Sequence, residues 1–309
     1  MSSLPARAVA LTIMRMRPDR PTIHALATGE RVAVVAGGGA LPIEVVGGLV
    51  AAGHAPFVIL LEGEARPVDF SGSETAELQL EAFGDLIPLL RRGGASHVVF
   101  AGEVKRRPAL SRMRWRLRML RLIPKILQVM GRGDDALLRA IVMELEASGF
   151  TVLGAHEILP DLLAPLGALT SRVPTRNDER DIEAAFEAAT AIGRLDVGQA
   201  AIAVGGRAVA LEGIEGTDGL LARMAGMRGH GRLASRAGGV LVKCSKPGQE
   251  VRTDLPAIGP GTVDGAHKAG LTGIAVEAGR TLVLDAAGVI ARADELGLFV
   301  VGRHREGRE

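Results

Sequence analysis

The sequence predicts an α/β fold: an N-terminal Rossmann-like parallel sheet domain followed by a C-terminal mixed-sheet α/β domain. Three observations carry that expectation. The chain has 309 residues, more than one small core needs and about the length of two domains. Short β-branched runs alternate with amphipathic stretches through the first half, the pattern of a doubly wound parallel sheet. In the second half two strand-like runs meet across Gly205-Gly206, a two-residue hairpin signal that demands antiparallel pairing.

The elements follow in order. Arg31–Ala36 reads as a strand. Gly37-Gly38-Gly39 then turns into an amphipathic stretch that reaches Ala52, with Pro42 suited to a first helical turn. Phe57–Leu61 and His97–Ala101 are buried strands, with a helix over Leu86–Arg92 between them. Asp134–Ser148 is a helix, with Asp134 as N-cap and Gly149 as the residue that ends it. Thr151–Gly154 is a further strand. Pro160, Pro165, Gly167, Pro174 and Asn177 punctuate the next segment, which reads as a linker. Beyond it come an Ala-rich helix over Asp181–Gly193, the hairpin Ala200–Val204 and Arg207–Leu211, and strands at Gly239–Lys243, Gly273–Glu277, Thr281–Asp285 and Phe299–Gly302. The expected organisation is a disordered extension over 1–30, a Rossmann-like domain over 31–159, a linker over 160–178 and a C-terminal catalytic domain over 179–309.

Composition narrows the function classes. Aromatic residues are only 3% and tyrosine is absent, so stacking of bases on aromatic platforms is not expected. The formal net charge of +2 gives no support to general nucleic-acid binding. Cys244 is the only cysteine, which excludes an internal disulfide and a cysteine-cluster metal site, and it reads as a core residue. No run has the roughly 18–20 uninterrupted apolar residues of a membrane span; Ile43–Leu61 comes nearest, and His54 and Pro56 break it. Residues 1–30 lack the apolar core of a signal peptide, so a cytoplasmic protein is expected.

Three features carry candidate chemistry. Gly37, Gly38 and Gly39 sit between a strand and a helix, where backbone N–H groups can cradle phosphate. Glu62, at the end of the second strand, stands roughly where a dinucleotide fold has its ribose-binding acid, but Pro42 occupies the place of the third fingerprint glycine. NAD binding, contact with another phosphate or sugar, and a tight turn with no ligand all remain open. Next, Lys105 to Arg132 holds ten Lys or Arg and no acid. Arg114, Arg118, Arg121 and Lys125 recur on one face, with Met113, Leu117, Leu120 and Leu127 beside them and a bend near Pro124. Such a helix suits an anionic lipid interface, and it equally suits domain packing with a solvated charged face; nucleic acid is the weakest of the three readings.

The third feature is Val209–Asp218, which places Glu212, Glu215 and Asp218 where a strand ends, turns at Gly213 and Gly216, and enters a helix. Acids at a strand end are often plain surface. Here Lys243, Lys246, Arg252 and Asp254 follow in another strand and loop. Carboxylates that can hold Mg²⁺ and cations that offset charge on non-bridging oxygens are the parts of phosphoryl chemistry. Thr262, behind Pro260 and Gly261, is expected to open a helix whose N-terminus could also face phosphate. A phosphate-binding P-loop, an HExxH zinc motif, the metal motifs of calcineurin-like phosphoesterases and a GxSxG elbow are all absent. His54, His97, His156, His230 and His267 share no ligand spacing.

The runs Ala36-Gly-Gly-Gly-Ala-Leu-Pro42, Gly102-Glu-Val-Lys-Arg106, Asp196-Val-Gly-Gln199, Glu212-Gly-Ile-Glu-Gly-Thr-Asp218, Val240-Leu-Val-Lys243, Lys246-Pro-Gly-Gln249, Arg252-Thr-Asp-Leu-Pro-Ala-Ile-Gly259 and Gly273-Ile-Ala-Val-Glu-Ala-Gly279 occur in this order. Together they resemble one family, the UDP-2,3-diacylglucosamine pyrophosphatases of lipid A synthesis that are unrelated to calcineurin-like enzymes. The resemblance spans about residues 31–302. It implies Mg²⁺-dependent hydrolysis of UDP-2,3-diacylglucosamine to UMP and 2,3-diacylglucosamine 1-phosphate (lipid X), with water directed at the phosphorus nearer the sugar. It also implies two α/β domains with the ligand between them, and an essential aspartate that here is Asp218.

The expected assignments follow from the residues and the resemblance together. Asp218, Glu215 and Lys243 are catalytic. Asp218 and Glu212 hold the metal. Gly37, Gly38, Gly39, Lys105, Gln199, Arg252 and Thr262 bind substrate. The expected partners are the glycolipid nucleotide and, transiently, the inner membrane surface, with a homodimer left open and no nucleic acid. An NAD-dependent oxidoreductase and a non-catalytic sensor of a nucleotide-sugar lipid are the competing readings.

Overall fold

A computed structural model describes residues 29–106, 134–233 and 238–305. The chain forms two compact units. One runs to Asp161 and takes in Glu250–Asp254; the other holds Leu162–Gln249 and the chain from Leu255 onward.

The first unit contains β1 (Val32–Ala36), α1 (Leu41–Ala51), β2 (Phe57–Leu61), β3 (Glu74–Leu78), α2 (Leu86–Arg92), β4 (His97–Ala101), α3 (Asp134–Ala147), β5 (Thr151–Leu153) and α4 (Ala155–Ile158). Its sheet has the order β3-β2-β1-β4-β5 and every pair is parallel, with Val34 opposite Val58 on one side and Val99 on the other. Successive strand residues point to opposite faces. Ala33, Val35, Phe57 and Ile59 therefore pack with Leu86, Leu90, Val142 and Leu145 of α2 and α3. Val32, Val34, Val58 and Leu60 pack with Val45 and Leu49 of α1 and with Ala155 and Ile158 of α4. Helices cover both faces, which is why β1 and β2 are apolar at every position. Each fully buried Val, Leu, Ile or Phe contributes about 1.5–3 kcal/mol.

The second unit contains β6 (Gly167–Ala168), α5 (Arg176–Arg194), β7 (Ala200–Ala203), β8 (Ala208–Leu211), α6 (Gly216–Met227), β9 (Val240–Lys243), β10 (Ala257–Ile258), α7 (Pro260–Lys268), β11 (Gly273–Glu277), β12 (Leu282–Val283), α8 (Ala286–Leu296) and β13 (Phe299–Arg303). Its main sheet has the order β6-β13-β11-β9-β7-β8. The pairs β13–β11 and β11–β9 are parallel; β9–β7, β7–β8 and β13–β6 are antiparallel. The mixed sheet expected from the glycine hairpin is present. One face packs on Ile182, Ala185, Phe186 and Ala189 of α5. The other packs on Leu220 and Met224 of α6, Val263 and Ala266 of α7, and Val289 and Ala293 of α8. Cys244 is buried as expected, and burial pushes its thiol up.

Several local expectations change. Strand β3, Glu-Thr-Ala-Glu-Leu, went unpredicted because it is an edge strand whose side chains are mostly outside the core. Helix α5 begins at Arg176 rather than Asp181. Thr175 caps it: the Asp178 N–H reaches Thr175 Oγ1 at 3.3 Å, and the Thr175 N–H reaches Asp178 Oδ2 at 2.9 Å. The capped start of α5, strand β6 and a 3-10 turn at Pro160–Leu162 thus fall within 160–178. The strand expected at Thr281–Asp285 is only Leu282–Val283, because Asp285 leaves the strand with φ 48 and caps the unpredicted α8 through Gly288 N–H. The end of α3 follows expectation: Gly149 takes φ 93, its N–H bonds to Glu146 O, and Phe150 N–H bonds to Leu145 O. No helix among the described residues is long and apolar enough to cross a membrane.

Candidate active site

Strand directions gather the polar residues of the second unit at one end of its sheet. Strands β8 and β9 both run antiparallel to β7, so the end of β8, the end of β9 and the start of β7 lie together. Glu212 follows β8, Lys243 ends β9 and Gln199 precedes β7. Strand β11, parallel to β9, brings Glu277 to the same edge. Ligands of open α/β sheets bind beyond the carboxyl ends of the strands.

The three acids of the 212–218 run take different roles there. Glu212 is buried, and both of its carboxylate oxygens have donors. Oε2 accepts from the Gln199 backbone N–H at 2.7 Å, and Oε1 accepts from the Thr217 hydroxyl at 2.6 Å. Gly198 makes the first approach possible, since a Cβ there would stand 2.6 Å from Glu212 O. Glu215 is exposed and accepts from Arg223 NH2 at 2.5 Å; its own backbone amide, and then Arg223, hold its carboxyl below the ordinary carboxylate range. Asp218 lies in the first turn of α6, exposed, where the helix dipole favours an anion. Among the described residues its carboxylate has no hydrogen bond or ion pair.

The neighbouring cations are fixed. Lys243 is nearly buried, and its Nζ donates to Ala257 O at 2.9 Å. Lys246 Nζ contacts Asp196 Oδ1 at 2.6 Å. Asp196 adopts φ 54, a left-handed conformation uncommon for a residue other than glycine. Gln199, on the same loop as Asp196, has a buried side-chain oxygen with no donor. Thr262 does not open its helix: α7 starts at Pro260, and Thr262 Oγ1 accepts the Gly259 N–H at 3.3 Å, which ties that hydroxyl to the cap.

No group of three or more His, Cys, Asp or Glu residues that could hold a metal occurs among the described residues. Among the described residues the donor at this strand-to-helix turn is one carboxylate without a partner, that of Asp218. That fits Mg²⁺ shared with substrate phosphates, since Mg²⁺ keeps several waters and takes one or two protein carboxylates. It does not make an all-protein cage.

In the first unit, the sheet order reverses between β1 and β4, the place where a doubly wound sheet opens a ligand crevice. The loops there are bonded to each other. Gly37 N–H donates to Ala101 O at 2.8 Å, Gly38 N–H donates to Glu103 O at 2.8 Å, and Glu103 N–H donates back to Gly38 O at 3.0 Å. Two of the three glycine amides expected to cradle phosphate are therefore engaged with backbone, and Gly39, at φ 88, is left at the turn. Gly102 is held against this loop: a Cβ on it would stand 2.4 Å from Gly38 O.

Lys105 Nζ pairs with Glu103 Oε1 at 3.0 Å on the surface. Arg252 bonds Glu250 through Nε at 2.8 Å and NH2 at 3.0 Å, and Glu146 through NH1 at 2.6 Å. Its guanidinium thus joins residues 250–254 to α3. Glu62 is exposed at the end of β2. The cationic helix expected from Lys105 to Arg132 lies outside the described residues from 107 onward.

Sequence reasoning missed Thr217, Ser245, Glu277 and Arg305. Ser245, Glu277 and Arg305 interlock beside Lys246. A glutamate inside the apolar run Gly273–Ala278 was the available signal for one of them; Arg305 lies in a tail that carries no pattern.

The fold and the edge residues define a two-unit α/β protein that gathers acids and lysines at the strand ends of its mixed sheet. Residues 31–162 match the model of the LpxI N-terminal domain, and residues 165–301 match that of the LpxI C-terminal domain. The chain is 43% identical over 277 residues to the UDP-2,3-diacylglucosamine pyrophosphatase LpxI of Caulobacter vibrioides, which covers 88% of this chain and 97% of that protein. The chain belongs to the LpxI family.

Proposed function

We propose that this protein is a hydrolase that cleaves the pyrophosphate of UDP-2,3-diacylglucosamine in lipid A synthesis, with Mg²⁺, releasing UMP and 2,3-diacylglucosamine 1-phosphate. Family membership along both domains supports the substrate. The observation that carries the residue assignment is the contrast among the acids: Glu212 and Glu215 are engaged, and Asp218 is exposed with no partner among the described residues.

In this reading Asp218 holds the cation or orients the attacking water. Glu212 fixes the turn beneath it by bonding Gln199 and Thr217. Lys243 offsets charge that develops on the non-bridging oxygens, helped by its low exposure to water. Bound Mg²⁺ supplies Lewis-acid polarisation of the phosphate oxygens. The bonded pair Gly38–Glu103 disfavours the NAD-dependent reading, because a dinucleotide needs those amides for its pyrophosphate.

Purified protein with UDP-diacylglucosamine and Mg²⁺ should release UMP; EDTA should stop the release, and Asp218→Asn should lower it at least about a hundredfold in a folded protein. Binding of the lipid without UMP would instead identify a sensor. Wild-type turnover by Asp218→Asn would remove the assignment. Transient contact with the inner membrane surface through residues 105–132 belongs to the same proposal. Charge reversal at Arg114, Arg118 and Arg121 should weaken liposome binding, and unchanged binding would refute that contact.

A further inference from the structure

At the same strand ends lies a buried charge for which the proposed chemistry has no direct use. Glu277, the last residue of β11, is 3% exposed. Its Oε2 accepts three hydrogen bonds: from the Ser245 N–H at 2.9 Å, from the Ser245 hydroxyl at 2.7 Å and from Arg305 NH2 at 2.8 Å. Arg305 NH2 also donates to Ser245 O at 2.5 Å. The amide, the carbonyl and the hydroxyl of Ser245 are thus all engaged. A well-packed apolar pair would stabilise a protein interior as well as a buried ion pair, or better. What the ion pair adds is geometry.

That geometry is delivered to the next residue. The peptide group between Ser245 and Lys246 is anchored by Arg305 at its carbonyl and by Gln249 Oε1 at its N–H, at 2.9 Å. Gln249 N–H returns to Lys246 O at 3.2 Å. With both flanking peptide groups fixed, the Lys246 side chain leaves the backbone in one direction. Its ammonium arrives on Asp196, on the loop whose Gln199 N–H holds Glu212. Lysine acts on phosphate as a compact point charge, so its value depends on where the backbone places it.

We infer that Glu277 is a positioning residue that acts through Ser245 to preset Lys246 as a cation for a substrate phosphate, with Asp196 as the resting counter-ion. This rests on the pyrophosphate hydrolysis proposed above. Arg305 completes the device by anchoring Ser245 from the C-terminal tail.

The test is a double-mutant cycle with Glu277→Gln and Lys246→Met in the full chain, followed by UMP release and by melting temperature. Glu277→Gln alone should lower kcat/KM about tenfold to a hundredfold, the scale of a misplacement of about 1 Å. On the Lys246→Met background it should lower kcat/KM no further, while it still lowers the melting temperature, because the Ser245 and Arg305 contacts it weakens do not use the lysine side chain. Should Glu277→Gln not fold, Ser245→Ala removes one contact and keeps the carboxylate; its smaller loss should likewise vanish on the Lys246→Met background. Losses in kcat/KM that multiply, or a Glu277→Gln enzyme with wild-type kcat/KM, overturn the inference and leave the hydrolase reading standing. A wild type that releases no UMP overturns both.

Discussion

Thr217 donates its hydroxyl hydrogen to Glu212 Oε1, and the next residue along α6 is Asp218. The contact separates two acids that look equivalent in sequence. One is a buried acceptor that closes the strand-to-helix turn; the other, with the same charge, is left to solvent at the helix start.

Substitutions at the two positions should therefore fail differently. Asp218→Asn should lower UMP release at least about a hundredfold, on the scale of losing a key charge-stabilising group, with little change in melting temperature. Glu212→Ala should destabilise by about 1–3 kcal/mol, because the Gln199 N–H and the Thr217 hydroxyl lose their acceptor. Thermal unfolding and turnover measured on both variants check the split.

Gly37 and Gly102 should resist substitution for a reason unrelated to ligand. A Cβ on Gly37 would stand 2.5 Å from Glu103 O, and Gly102 adopts φ 91. Alanine at either site should cost about 1–3 kcal/mol through strain and displaced backbone. Titration with NADH should leave the cofactor's fluorescence unchanged in the wild type, consistent with amides already engaged in the 37–38 turn.

Asp178 gives a pH signature. Burial alone would raise its carboxyl, but Thr175 through hydroxyl and amide, Thr272 through its hydroxyl, and the charge of Arg172 together hold it below the usual carboxylate range. A group depressed in the folded state contributes stability that is full above its unfolded pKa, about 3.9, and is lost as pH falls through the folded value. Asp178→Asn should thus be less stable than wild type by about 1–3 kcal/mol at pH 7. The gap should close below about pH 4, as urea unfolding across pH would show.

Arg252 should behave as a structural residue of the first unit. Arg252→Ala should lower stability more than it raises KM, because two carboxylates, Glu250 and Glu146, lose one shared cation. Glu146→Gln should reproduce part of the loss. A large KM effect at unchanged melting temperature would return Arg252 to substrate binding.

The legible parts of the fold were those whose burial is continuous or whose turn chemistry is explicit. β1, β2 and β11 are apolar at nearly every position because helices cover both faces, and Gly205-Gly206 gives the hairpin outright. β3 was hidden by its polar edge residues, and α8 by the left-handed Asp285 that starts it. In the site, the crowding of acids at 212–218 could be read from spacing. The engagement of Glu212 could not, since one partner is a backbone amide brought in by strand pairing. Likewise nothing local marks Arg305 as the partner of Glu277, which lies 28 positions earlier.

The five residues Glu250–Asp254 count with the first unit although the second unit supplies the chain on either side of them. A ribosome delivers the N-terminal sheet long before it delivers Arg252, so Glu146 of α3 must wait for that partner until more than a hundred further residues have emerged. The first unit is therefore a discontinuous assembly. Expression of residues 1–161 alone would yield a protein short of its own final piece, and a split of the gene at the boundary of the two matched domains would not divide the molecule into two finished halves.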